Sequence, residues 1–273
     1  MWGLLRYLNR MRLGQTAVYF EYPYDLAPRW NSDGNVHLRK IIAQGDALFE
    51  KHLAQLADLL PLVKNMSNQG FDWANHQLPV IDALSIMWAA AQAPHTYMEV
   101  GSGYSTVCAR RSIAEAQTQS KIVSIDPNPR VEIDELCDEL IRSPVESISP
   151  AIFDKLEEGD VLFIDGSHRA LMNSDVTAIM LDVVPRLRPG VMIGIHDIFL
   201  PFDYSSKWRE RIYNEQYLLA SFLLANPSYF KLMLCNNWIC RQGMHLSALS
   251  DVWTVVGDKA KNRFGSAFWL TKN

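Results

Sequence analysis

Residues Tyr97-Met98-Glu99-Val100-Gly101-Ser102-Gly103-Tyr104-Ser105-Thr106 read as a short apolar strand that ends in an acid, turns on a pair of glycines and opens a helix. Glycine has no side chain in the way, so a turn of this kind brings backbone N–H groups up against a ligand. Dinucleotide-binding loops follow G-x-G-x-x-G, where the third glycine lets helix and strand pack closely. Thr106 occupies that third position, and the dinucleotide fingerprint fails. Glu99 stands two residues before the first glycine. A carboxylate there would repel a pyrophosphate and suit a ligand carrying an ammonium or sulfonium group.

A second acid, Asp126, ends the apolar run Lys121-Ile122-Val123-Ser124-Ile125. At this place and spacing a carboxylate can accept both ribose hydroxyls of an adenosine, although Asp126-Pro127 is also good turn chemistry. An adenosine joined to a cation, without phosphate, describes S-adenosylmethionine.

The chain resembles a class I S-adenosylmethionine-dependent methyltransferase and, more narrowly, the bacterial methyltransferase-24-like group. The matching words are Glu99 to Thr106, Ser124-Ile125-Asp126-Pro127-Asn128-Pro129-Arg130 and Leu162-Phe163-Ile164-Asp165-Gly166-Ser167-His168. Leu187-Arg188-Pro189-Gly190-Val191 and Ile195-His196-Asp197-Ile198-Phe199-Leu200-Pro201 follow in order. They cover roughly the middle half of the chain and are specific for fold and cofactor rather than for the methyl acceptor.

Patterning around these words agrees with an α/β fold. Apolar residues recur at helical spacing from Val36 to Leu60, as one long helix or two shorter ones, with breaks near Gly45 and Pro61. Before them, Tyr22, Pro23, Tyr24 and Pro28 punctuate a loop. Pro79 opens a helix over 80–92 ahead of the first strand. Strands at 97–100, 121–125, 145–148, 161–164 and 191–195 then alternate with helices at 105–117, 131–141, 153–156, 174–187 and 208–225. Strongly apolar strands in that alternation predict a parallel sheet covered on both faces. Further strands at 229–239 and 266–271 match the antiparallel hairpin that the resemblance implies at the end of a seven-stranded Rossmann-like sheet. The expected division is an N-terminal loop and helical extension, 1–78, serving as lid or dimer interface, and a cofactor-binding domain, 79–273.

Open α/β sheets bind ligands at the carboxyl ends of their strands. Glu99, Asp126, Asp165, His168, His196 and Asp197 all fall at such ends. The expected cofactor residues are Glu99, Gly101, Ser102, Gly103, Asp126 and Asp165. Methyl transfer is an in-line displacement in which the cofactor supplies the electrophile, so the protein must position and deprotonate the acceptor. A neutral histidine suits that task near neutral pH, which makes His168 and His196, with Asp165, the candidate catalytic residues. By resemblance to catechol-type O-methyltransferases, an aspartate placed like Asp165 binds magnesium, with Asp197 as the second ligand. Those enzymes carry Asp-Asn where this chain has His196-Asp197, which leaves magnesium, manganese or no metal open, since hard cations prefer oxygen. After the fifth strand, the aromatic and polar segment reads as packing, with a substrate wall or lid, Tyr204, Tyr213, Asn214 and Glu215 its donors and acceptors, as the functional alternative. The other histidines, His37, His52, His76, His95 and His245, read as solvated or structural.

Composition bounds the partners. The 273-residue chain is 48% hydrophobic with a net charge of −4, so no global field draws it to nucleic acid or an anionic membrane surface. Arginines interrupt the first ten residues before a secretory core forms. Four cysteines without a C-x-x-C pair read as free thiols of a cytoplasmic protein, with a zinc site at Cys235 and Cys240 the alternative. The expected activity is methyl transfer to a hydroxyl oxygen of a small molecule, in a protein that can form a homodimer. A cofactor-binding protein without that activity, and a metal-dependent hydroxylase-like relative, are the alternatives.

Overall fold

The computed structural model describes residues 25–261 and 264–273; the sequence features at 1–24, including the Tyr22-Pro23-Tyr24 loop, lie outside them. The amphipathic stretch forms α1 (Val36–Ala43), α2 (Asp46–Ala57) and α3 (Leu60–Asn68). Asn35 caps α1 by accepting from the His37 and Leu38 N–H groups. Pro61 does not interrupt a helix but sits in the first turn of α3, where its missing N–H would have had no partner anyway. α4 (Val80–Ala91) leads into β1 (Thr96–Val100), α5 (Tyr104–Glu115) and β2 (Lys121–Ile125). β3 (Glu139–Ile141), β4 (Val161–Ile164), α6 (Asp175–Ala178) and β5 (Met192–Ile195) follow. α7 (Glu215–Ala225), β6 (Phe230–Cys235) and β7 (Phe268–Lys272) complete the frame that carries the site.

The seven strands are ordered β3-β2-β1-β4-β5-β7-β6, with β1 to β5 parallel and β7 antiparallel to both β5 and β6. The four central residues Val161, Leu162, Phe163 and Ile164 of β4 are each at most 1% exposed, as a strand covered on both faces requires. Leu38, Ile42, Phe49, Leu53 and Met66 of α1–α3 belong to the same continuous core as the sheet. In that core, α2 lies against β6 and α1 against α7.

Several expected elements differ. No helix spans 131–141, and the third strand is Glu139–Ile141 rather than 145–148, which forms a 3-10 turn at Val145–Ser147. Arg110 donates to the Leu136 carbonyl and to Asp138, and Asp138 accepts from the Ile122 N–H. These bonds lay the segment flat along β2. The helix expected over 208–225 is split by Ile212 in a left-handed conformation (φ 54°), where the Asn214 and Glu215 N–H groups turn to the His168 carbonyl. The strand expected over 229–239 ends at Cys235, because Asn236 turns inward and donates to the Ile81 carbonyl, Asp82 and Ser85. The four cysteines are free thiols, and no described helix is long and apolar enough to cross a membrane.

Candidate active site

Backbone pairing places the turn after β1 between two neighbours. The Gly101 N–H donates to the Ile125 carbonyl (3.0 Å), and the Asp165 N–H donates to the Val100 carbonyl (2.8 Å). Gly101 has φ +80°, and a Cβ there would overlap the Asp165 carbonyl oxygen, so glycine is required on both counts. A Cβ on Gly103 would meet nothing within 4 Å. Gly103 borders a cleft of about 490 Å³, also bordered by Gly101, Ser102, Asp126, Asn128 and Asp165. Asp126 accepts from the Ser102 N–H through Oδ2 and from the Asn128 N–H through Oδ1, each at 2.7 Å. A carboxylate oxygen has two lone pairs, so each keeps one for a ligand hydroxyl. Open glycine backbone beside an acid with two spare acceptor positions fits the adenosine end of S-adenosylmethionine.

Glu99 lies elsewhere than expected. It is fully buried beneath the turn, does not border the cleft, and accepts from the Thr106 hydroxyl at 2.5 Å. Thr106 in turn accepts from the Gly103 N–H. The residue in place of a third glycine thus staples the turn to β1. Burial, opposed by hydrogen bonds from Ser105 and Thr106, raises the Glu99 carboxyl to about 8. At neutral pH it keeps its proton, so it neither repels a phosphate nor pairs with an ammonium group.

This has a measurable consequence. The folded value lies above the ordinary value of 4.5, so on raising the pH the unfolded chain ionises first and the folded state loses stability progressively until about pH 8. Glu99→Gln keeps the acceptor for Thr106 and cannot ionise. Equilibrium denaturation is expected to show the variant equal to the parent near pH 4 and several kcal/mol more stable at pH 9, at about 1.4 kcal/mol per unit of displacement. Equal stability at both pH values would refute the buried, protonated state.

Beyond the turn, the ends of β4 and β5 bring Asp165, His168, His196 and Asp197 together. His168 Nε2 lies 3.2 Å from Asp165 and 3.5 Å from Asp197. His196 Nδ1 lies 3.3 Å from Asp165 and 3.5 Å from Asp197. The outer nitrogens face carboxylates as well: His168 Nδ1 faces Glu215 at 2.9 Å, and His196 Nε2 faces Asp82 at 3.2 Å. Acids and imidazoles therefore alternate from Asp82 to Glu215. His168 (φ 61°) and Asp197 (φ 55°) both hold left-handed backbone, uncommon for residues other than glycine and concentrated at functional sites.

The electrostatics follow from this packing. Burial alone would lower both histidines, but Asp165 and Glu215 raise His168 to about 10. Asp165, Asp197 and Asp82 hold His196 well above its ordinary value. Asp165 is held far below the usual carboxylate range, since burial is outweighed by His196 and His168. These carboxylates favour the protonated form of both imidazoles, so a histidine must first release a proton before it can act as a base.

Among the described residues, Asp165, His168 and Asp197 form the one cluster whose ligand atoms all lie within 4.8 Å of one another. His196 Nδ1, buried and without a hydrogen-bond partner, points at the same carboxylates. Ligand atoms about 2.1 Å from a metal stand roughly 3.0–3.4 Å apart, close to the separations here. Outer carboxylates on both imidazoles are the arrangement that orients metal-ligating histidines. Two nitrogens and two carboxylates suit manganese, iron or zinc better than magnesium.

A second cavity of about 760 Å³ opens over this cluster. Gln77, Arg130 and Asp165 border both it and the cofactor cleft. His76, expected to be structural, borders it too, as do Tyr213 and Trp208. Glu215 is instead 1% exposed behind His168, and the Asn214 side chain accepts from the Ala170 N–H. Tyr204 is buried against Phe199, Trp208 and Tyr217. Arg130 has a place at both cavities that the residue pattern did not assign. Asp82, the one charged residue of the helix VIDALSIMWAAA, is the signal that this helix faces the site.

Residues 98–198 match the methyltransferase-24 family, described as a methyltransferase domain. The match runs from β1 to the loop after β5. Among solved structures, the chain is similar to the plantazolicin methyltransferase BpumL in complex with SAH, at 14% identity and a TM-score of 0.40, covering 87% of this chain and 99% of that one. It is also similar to a mutant 16S rRNA (adenine(1408)-N(1))-methyltransferase from Catenulisporales acidiphilia, at 15% identity and a TM-score of 0.29, covering 70% of this chain and 94% of that one. No curated protein matches the chain.

Proposed function

We propose that this chain, whose residues 98–198 match a methyltransferase-domain family, is a class I S-adenosylmethionine-dependent methyltransferase that methylates a hydroxyl oxygen of a small molecule at the Asp165–His168–His196–Asp197 cluster. The observation that carries the proposal is Asp165. It borders the cofactor cleft on one side and the second cavity on the other, so donor and acceptor meet across a single side chain. The cofactor supplies an electrophilic sulfonium methyl group.

Asp126 and the glycine turn hold the adenosine end, and Asp165 flanks the reacting end. Asp165, His168, His196 and Asp197 would hold a divalent cation, which supplies the Lewis acidity that makes an oxygen ligand easier to deprotonate. To ligate, both histidines must release the protons that the carboxylates now favour. Their part is then to position, and the oxygen of the Asp197 carboxylate that would not bind the cation receives the acceptor's proton, since this residue borders the cavity. Glu215 and Asp82 fix which imidazole nitrogen faces inward.

The test uses radiolabelled methyl donor with a panel of hydroxylated small molecules, before and after treatment with a chelator. Label transfer is expected to fall by about two orders of magnitude on chelation and to return with Mn²⁺, and Asp165→Asn to lower kcat by about a thousandfold. Absence of S-adenosylhomocysteine binding in calorimetry would sink the reaction. Full turnover in chelator would remove the cation from it.

A further inference from the structure

We propose that the methyl acceptor is an anion, a hydroxylated small molecule whose carboxylate or phosphate group is held by Arg130, Lys207 and Arg211 while its hydroxyl reaches the acid–imidazole cluster. The proposal rests on the methyl-transfer reading and names the substrate class of that same site. Arg130, Lys207 and Arg211 all border the second cavity, and all three residues are exposed.

Their charges are unanswered. Elsewhere on the surface Arg110, Arg142, Lys155, Arg186 and Arg188 pair with carboxylates, whereas others, such as Lys64 and Arg111, stand singly rather than gathered at a cavity. Among the described residues, no carboxylate lies within ion-pair distance of Arg130, Lys207 or Arg211. Arg169 behaves alike: its guanidinium donates to the Arg211 and Ser167 carbonyls and lies over the Tyr213 ring. Glu210, on the same turn as Lys207 and Arg211, pairs with none of them. The acids that face the cavity, Asp165 and Asp197, sit at its floor and are engaged by the two histidines.

Arg211 is held in place by its aromatic neighbours, 4.2 Å from the Trp208 ring centroid and 5.5 Å from that of Tyr213. Stacked this way, a guanidinium keeps its charge and in-plane donors for an oxyanion. In a protein of net charge −4, unpaired cations gathered at one cavity create a local positive field that concentrates anions. The rings of Trp208 and Tyr213 beside them offer a flat apolar wall. A molecule with an anionic group at one end, a flat body and a hydroxyl at the other spans rim, wall and floor.

The experiment is calorimetric titration of the protein, loaded with S-adenosylhomocysteine and Mn²⁺, with 3,4-dihydroxybenzoate and with its neutral amide. The acid is expected to bind at least about tenfold more tightly at low salt, with the advantage shrinking as ionic strength rises. In an Arg130→Gln, Lys207→Gln double variant the gap is expected to close to about twofold, with affinity for the amide unchanged. Equal affinities of acid and amide, weak or strong, overturn the proposal, as does an advantage that survives in the double variant. Labelled-donor turnover separates the two proposals. Preference for the acid without methyl transfer would sink the reaction and leave the anion site standing, whereas equal methylation of acid and amide would do the reverse.

Discussion

Replacing Asp126 by alanine is expected to weaken binding of S-adenosylhomocysteine at least about a hundredfold while leaving the fold intact. Each carboxylate oxygen is already engaged by one backbone N–H, of Ser102 or Asn128. Each has one acceptor position left, at the geometry that suits the two vicinal hydroxyls of a ribose. Hydrogen bonds to a charged acceptor contribute about 1.5–3 kcal/mol each, so losing two costs at least about 3 kcal/mol, or roughly two orders of magnitude in affinity. The Ser102 N–H also loses its anchor, which loosens the turn beside the ligand. Asp126→Asn keeps one acceptor but turns an NH₂ group toward a backbone N–H, so it too is expected to bind weakly. Calorimetric titration checks both variants, with circular dichroism as the control for folding. Binding within threefold of the parent would mean that the ribose sits elsewhere.

The largest effect on stability is expected at Asp82. This carboxylate is 0% exposed. It accepts from the Ser266 and Ala267 N–H groups and the Asn236 amide, at 2.8–3.0 Å, and faces His196 Nε2 at 3.2 Å. One acid in α4 thereby fixes the entry to β7, the chain after β6 and the imidazole that reaches the active site. Asp82→Ala strands buried donors and an imidazolium together, at a cost of about 3–5 kcal/mol, seen as a fall in Tm of roughly 10 °C.

The pH dependence has a definite sign. Burial would raise Asp82, but His196, Asn236 and the Ala267 N–H bring it below its ordinary value of 3.8. Its contribution is therefore present above that value and lost as the pH falls through the folded one. The gap between parent and variant should be full at pH 7 and close in acid. An unchanged melting temperature at pH 7 would show that the network does not carry the load assigned to it.

What the sequence displayed and what it concealed divide along physical lines. Strand ends were legible, because short, mostly apolar runs announce β1, β2, β4 and β5, and ligands gather where such strands stop. That is why Asp126, Asp165, His168, His196 and Asp197 stood out in the sequence as candidates at strand ends. The burial of Glu99 was not legible: Thr106 holds it beneath the turn, and a sequence does not show a desolvated proton. The place of Glu215 stayed open between packing and a substrate wall, because nothing local signals that Ile212 adopts a left-handed conformation and swings the next helix behind His168. The Arg110 bonds that flatten the third strand join residues 26 and 28 positions apart, beyond the reach of periodicity. Cations at the second cavity escaped notice because an exposed arginine looks the same in sequence whether or not an acid waits across from it.

The contact between Gly101 and the Asp165 carbonyl also bears on how such a protein changes its diet. Where a single methyl group would not fit, the donor loop and the reacting acid cannot drift independently, and neither can be altered without disturbing the other. Two of the rim cations, Lys207 and Arg211, stand apart from that constraint, on a solvent-exposed 3-10 turn, Ser206–Arg211. Chemistry and taste are thus stored in separate parts of the chain. New acceptors can be reached by rewriting the rim a residue at a time, while the machinery beneath is inherited whole.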